Sequence, residues 1–260
     1  MLCKGRNKMK KTTFLKLERP LLTCMVQAQT PDRIKELISL SSAEGAEAFG
    51  MQFCRLLPEY RRSEIYRKLF ESTSRPTYVT NYRYGYNAGK DDDTLASEII
   101  LLAECGATLC DVMGDMFDRQ DDELAKDNDA IKKQMKLIDE LHKCGAEVLM
   151  SSHVFKFTPA EQVLKIALEH QSRGADISKI VTGASNRAEE IENLRITNLL
   201  KENLNIPFLF LSVDECYISR RIGGALGNCM SLCVYEYDEL ATRSQPLLRD
   251  QKLLRDTIGL

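Results

Sequence analysis

The feature that most constrains this chain is an alternation. Short apolar runs rich in strand formers are followed, about every 30 residues, by longer segments whose apolar residues recur at helical spacing. Residues 21–26 read as a strand, and 31–40 as a helix with Ile34, Leu37, Ile38 and Leu40 on one side. The same pairing repeats as strand 48–54 and helix 59–71, 77–82 and 95–105, 107–113 and 125–144, 147–153 and 159–172, and 176–182 and 188–204. It ends with strand 206–213, a short helix at best over 221–226, strand 229–235 and helix 246–257. Thr158 is expected to cap the fifth helix, with Pro159 at its first position. Alternating strands and helices imply parallel strands joined by right-handed crossovers. Eight units in about 250 residues fit a single (β/α)8 TIM barrel over residues 13–260. An open doubly wound sheet is the rival, weakened because the first turn, Val26-Gln27-Ala28-Gln29-Thr30-Pro31, carries no glycine for a phosphate.

Composition removes several function classes. Lysine and arginine number 36 against 38 aspartates and glutamates, a net charge of −2, which gives no reason to expect nucleic acid or an anionic membrane as partner. No run approaches the roughly 20 apolar residues of a membrane span. The basic start, with Lys4, Arg6, Lys8, Lys10 and Lys11, is expected to be a flexible tail over residues 1–12, because Lys16, Glu18 and Arg19 interrupt the apolar run a secretory signal needs. Nine cysteines, an odd number with no CxxC pair, read as reduced thiols of a cytoplasmic protein rather than as a disulfide framework or a zinc site.

Barrel chemistry sits at the C-terminal ends of the strands. Lys179 lies in Ile177-Ser178-Lys179-Ile180-Val181, and alternation places it on one face with Ile177 and Val181. Facing inward, it would be desolvated, its amine pKa lowered, and a Schiff base within its reach; facing outward, it would snorkel to water. His153 closes the fifth strand, where a proton shuttle would stand, or it is a hydrogen-bonded structural residue. Lysine and histidine on adjacent strands favour the functional reading. His142 and His170 sit near the ends of amphipathic helices and read as solvated or capping. Arg220 and Arg221 follow the seventh strand, either as a carboxylate grip or as surface residues.

The stretch from Val148 through Ser152, His153 and Phe155 to Thr158-Pro159, then Gly174-Ala-Asp-Ile-Ser-Lys179-Ile180, then Ile218-Ser219-Arg220 with Gly224 and Gly227, resembles type I 3-dehydroquinate dehydratase. These are Schiff-base (β/α)8 enzymes of the shikimate pathway. The resemblance implies Lys179 as the imine-forming residue, His153 as general acid/base, Arg220 as the carboxylate clamp and Gln245 as the glutamine of a closing loop. It implies a lyase that needs no metal or organic cofactor, acting on a small carboxylated ketone, in a cytoplasmic homodimer. Departures accompany it. Gln52 and Cys54 stand where the family has Glu-x-Arg. Either Arg83 or Tyr82 fills the third-strand arginine position, and Asn87 replaces the glutamate that partners the histidine. Val154 follows the histidine in place of aspartate, and Ala241 stands for the closing-loop serine. Gln52, Asn87 and Arg83 are therefore the expected readers of the substrate. An unpartnered His153 and fewer charged hydroxyl contacts predict a lowered kcat and a raised KM on 3-dehydroquinate. Two alternatives stay open: the same lysine chemistry on another carboxylated hydroxy-ketone or aldol substrate, and a non-catalytic barrel that binds a small ligand or a partner.

Overall fold

The computed structural model describes residues 13–15, 18–214 and 218–260; the expected tail over 1–12 lies outside them. Eight parallel strands form a nearly closed barrel with helices between them. They are β1 (Leu21–Val26), β2 (Ala48–Gln52), β3 (Thr77–Thr80), β4 (Leu109–Met113), β5 (Glu147–His153), β6 (Ile177–Ala184), β7 (Phe208–Asp214) and β8 (Met230–Cys233), ordered 7-6-5-4-3-2-1-8 in the sheet. The intervening helices are α1 (Pro31–Glu44), α2 (Ser63–Glu71), α3 (Asp92–Cys105), α4 (Asn128–Lys143), α5 (Ala160–Ser172), α6 (Arg187–Asn203), α7 (Ile218–Leu226) and α8 (Leu248–Ile258).

Period-two alternation divides each strand between two apolar layers. Met25, Tyr78, Leu109, Leu149, Ile177, Val181, Leu209 and Leu232 belong to the barrel interior, and Phe14, wholly buried, joins that cluster. The backbone N–H of Phe14 donates to Glu147 at the start of β5, so the Phe14 ring plugs the floor of the barrel. Cys24, Val26, Cys110, Val112, Val148 and Met150 face the helices.

The seventh unit differs from its sequence reading. α7 is a full helix of nine residues starting at Ile218, where only a short stretch from 221 is expected. Thr158 does not cap α5: its hydroxyl donates to the Lys156 carbonyl, and Pro159 occupies the N-cap position without a side-chain bond.

Among the described residues no ladder joins β7 to β8. The seam is held instead by the Cys229 N–H donating to Phe208 O (2.9 Å) and by the side chain of Asn228. That amide accepts from Phe210 N and donates to Phe210 O, both at 2.9 Å, and so acts as a substitute peptide group. The site requires glycine at 223, because a Cβ there would lie 2.4 Å from Asn228 Nδ2.

His170 is not at a solvated helix end. It is wholly buried between α5 and the sheet, its Nε2 against Ser152 Oγ of β5 (3.1 Å) and its Nδ1 against Ser178 Oγ of β6 (3.0 Å). Each partner precedes a candidate site residue, His153 or Lys179, so His170 fixes from outside the two strands that carry them. Burial draws its pKa down from 6.5 to about 3, assisted by the nearby Arg173 charge. Between those values the unfolded chain binds more protons than the folded one. Stability therefore falls as pH drops from 6.5 toward 3, by up to about 1.4 kcal/mol per pH unit from this group. The urea midpoint of His170→Gln should depend less steeply on pH in that window than that of the parent protein. Equal slopes would show that His170 titrates normally in the folded state.

Candidate active site

The strand ends open on a cavity of about 330 Å³, the size of a small-molecule site. Lys179, His153, Arg220, Gln245, Gln52 and Arg83 all line it. Lys179 points into the barrel and is 5% exposed. Its Nζ lies 2.7 Å from Tyr82 Oη, 3.0 Å from Tyr78 Oη and 3.4 Å from Asp111 Oδ2. Both tyrosine hydroxyls donate to that same Asp111 oxygen, Tyr82 at 2.5 Å, while Ser151 Oγ donates to Oδ1 at 2.5 Å. Burial lowers the lysine pKa from its usual range, against the opposing attraction of Asp111. Asp111 and Tyr78 are absent from the sequence expectation, although Asp111 alternates inward with Leu109 and Met113 along β4; Tyr82 enters it only as the alternative to Arg83 at the third-strand position.

His153 has an anionic partner, contrary to the expectation drawn from Asn87. Glu123, in the loop between β4 and α4, accepts from the His153 backbone N–H at 2.5 Å and contacts its Nδ1 at 3.1 Å with the same Oε2. A carboxylate only accepts, so the hydrogen is assigned to Nδ1 and the Nε2 lone pair is left free. Glu123 adopts φ +46°, a left-handed conformation that costs a non-glycine residue about 1–3 kcal/mol. The loop is seated by its own carbonyl, which accepts from Ser152 Oγ at 2.6 Å. Gly114 makes room for it, since a Cβ there would lie 2.5 Å from the Glu123 carbonyl oxygen. Phe155, at φ +54°, stacks on the His153 ring at 5.7 Å.

Asn87 does not reach the cavity. β3 ends at Thr80 and the chain turns outward, leaving Asn87 wholly buried in the turn Gly85–Asn87. Its amide donates to Asn81 Oδ1 and Tyr82 O, both at 2.8 Å, and accepts from Arg61. Cys54 is likewise buried and outside the lining, in a 3-10 turn after β2. Gln52 reaches the rim, where its Oε1 accepts from Tyr84 Oη (3.0 Å). Tyr82, not Arg83, turns toward Lys179. The Arg83 guanidinium is committed to Asp92 (2.7 and 2.8 Å) and to Asp115 (2.6 Å), with a further bond to the Asp115 carbonyl. Arg220 is the available cation. It is 6% exposed, its Nε donates to Ser212 O at 2.5 Å, and among the described residues no carboxylate pairs with it. Burial draws its pKa down to about 10. In the β8–α8 loop, Thr242, Ser244 and Gln245 line the cavity, and Gln245 Oε1 is buried without a hydrogen-bond partner. Ser244 therefore brings a hydroxyl to the mouth, where the sequence reading places only Ala241.

The family model described as type I 3-dehydroquinase matches residues 90–250. The chain belongs to that family. Over 99 residues it is 31% identical to a 3-dehydroquinate dehydratase of Listeria monocytogenes, covering 37% of this chain and 39% of that protein. It is 33% identical over 112 residues to one from Alkaliphilus oremlandii, covering 42% and 43%. The matched stretch thus spans about two fifths of the length of these curated relatives. Among solved structures, the type I 3-dehydroquinate dehydratase of Clostridium difficile superposes with a TM-score of 0.77 at 16% identity, covering 92% of both chains. The Geobacillus kaustophilus 3-dehydroquinate dehydratase gives 0.80 at 13% identity, covering 93% and 92%. These two likenesses establish a shared type I 3-dehydroquinase fold across nearly the whole chain.

Within this family frame Arg83 is a structural cation. Replacing it leaves Asp92 and Asp115 facing each other without their shared partner. Arg83→Met should lower the unfolding free energy by about 3 kcal/mol in urea titrations. A loss below about 1 kcal/mol would return Arg83 to the cavity as a free binding group.

Proposed function

We propose that this chain is a lyase that dehydrates 3-dehydroquinate to 3-dehydroshikimate through a Schiff base on Lys179. The observation that carries this is the inward Lys179, desolvated in one cavity with a histidine whose free ring nitrogen is set by Glu123, in a chain of the type I 3-dehydroquinase family. Unprotonated, Lys179 attacks the ketone; loss of water leaves an iminium that withdraws electrons from the neighbouring carbon. His153 Nε2 takes the proton from that carbon and returns it to the departing hydroxyl. Arg220, a buried cation with an open fork, binds the carboxylate. Gln245 and Gln52 supply neutral amides for the hydroxyls. The lowered kcat expected from an unpartnered histidine loses its basis, because Glu123 fills the role from another loop; the raised KM keeps its basis in the neutral Gln52. Buried free thiols at Cys24, Cys54, Cys110 and Cys233 support a reducing, cytoplasmic location, and the homodimer rests on the resemblance.

Incubation with 3-dehydroquinate and borohydride should add the reduced substrate mass to a peptide containing Lys179, and Lys179→Ala should carry no adduct. An unlabelled Lys179 in the parent protein would overturn the Schiff-base reading. Glu123→Ala should lower kcat by about 10–10²-fold with little change in KM, the equivalent of one charge-assisted hydrogen bond. An unchanged kcat would remove Glu123 from the mechanism.

A further inference from the structure

We propose that Tyr82 is a third catalytic residue, a proton relay that unloads the Lys179 ammonium onto Asp111 before the amine attacks. The proposal rests on the Schiff-base reading above. A Schiff base needs the lone pair of Nζ, yet a carboxylate in the barrel interior favours the ammonium that lacks it. The geometry supplies the exit. The separation from Nζ to Asp111 Oδ2 is 3.4 Å, long for a direct transfer, whereas Tyr82 Oη stands 2.7 Å from Nζ and 2.5 Å from Oδ2. As an Nζ–H bond breaks toward Tyr82 Oη, the Tyr82 O–H bond breaks toward Asp111 Oδ2. An ion pair thereby becomes a neutral pair, an amine and a carboxylic acid. After the amine adds to the ketone, the borrowed proton returns along the same path to the carbinolamine hydroxyl, which leaves as water. The carboxylate is restored, and it now faces an iminium whose charge takes the place of the ammonium's.

Tyr78 shares both partners, but it is wholly buried and outside the cavity lining. Tyr82 faces the cavity, with its ring edge-on to His153 at 5.1 Å, so it can reach both Nζ and the oxygen of a carbon bonded to Nζ. The other ionisable groups around Lys179 are Tyr78 on β3, Asp111 on β4, Glu123 on the following loop, His153 on β5 and Arg220 on α7. Arg220 and Glu123 act on it as opposing charges, and neither bonds to Nζ.

The test is the rate at which 3-dehydroquinate forms a borohydride-trappable adduct on Lys179 after rapid mixing, from mildly acidic to alkaline pH. Tyr82→Phe keeps the ring and removes only the relay oxygen. Its adduct formation should slow by about 10²-fold near neutrality and regain speed as hydroxide rises, because solvent must then take the proton. The parent rate should vary much less over the same range. A rate unchanged in the variant, or lowered equally at every pH, overturns the relay while leaving the Schiff base intact. No adduct in the parent protein overturns the Schiff-base reading and the relay with it.

Discussion

A buried ammonium held against a buried carboxylate organises the upper half of this barrel. Taking either charge out of water costs several kcal/mol, and the interior tolerates the pair only because its hydrogen-bonding capacity is met. Asp111 receives three hydroxyl donors, from Tyr78, Tyr82 and Ser151, and Lys179 donates to both tyrosines. Those partners come from β3, the turn after it, β4, β5 and β6. Their parallel ladders run unbroken from β3 to β6, so the frame that closes the barrel also holds these contacts in place.

The cavity combines this polar floor with an aromatic rim. Tyr82 and Tyr84 stack at 5.8 Å, Arg55 lies over the Tyr84 ring at 5.0 Å, and Phe155 leans on His153. The committed charges point away: Arg83 turns to Asp92 and Asp115, and Glu123 turns to His153. Arg220 inside the cavity and Arg55 at its rim are cations without a carboxylate partner among the described residues, so the opening is electropositive.

The barrel and the strand face shared by Lys179 were legible because both rest on period, whereas the inward direction of that face came from the resemblance. Eight alternations leave few topologies, and the flanking Ile177 and Val181 set the face on which Lys179 lies. The partner of His153 was not legible, for a physical reason. Asp118, Asp121, Asp122 and Glu123 stand together in an irregular loop, and only a left-handed backbone turn, stabilised by a carbonyl contact beside Gly114, selects Glu123. The resemblance set Asn87 at the glutamate position, but β3 ends at Thr80 and the turn that follows leads away from the cavity. The Tyr78–Asp111 pair did leave a trace: a carboxylate alternating inward on β4 must answer to something across the barrel, and Lys179 is the buried cation two strands away. His170 left one too, in the serines at 152 and 178 that face the helix layer.

The seam at Asn228 gives the barrel an internal asymmetry of stability. Elsewhere, neighbouring strands separate only when several peptide bonds fail together; between β7 and β8, among the described residues, a side-chain amide and one backbone bond hold the join. The helix that immediately precedes that amide carries Arg220. Local opening there disconnects the cation from the cavity while the ladders holding Lys179 and His153 stay whole. The barrel thus divides into a laddered half that holds Lys179 and His153 and a lightly latched half that holds Arg220, and the two halves can fluctuate at different rates.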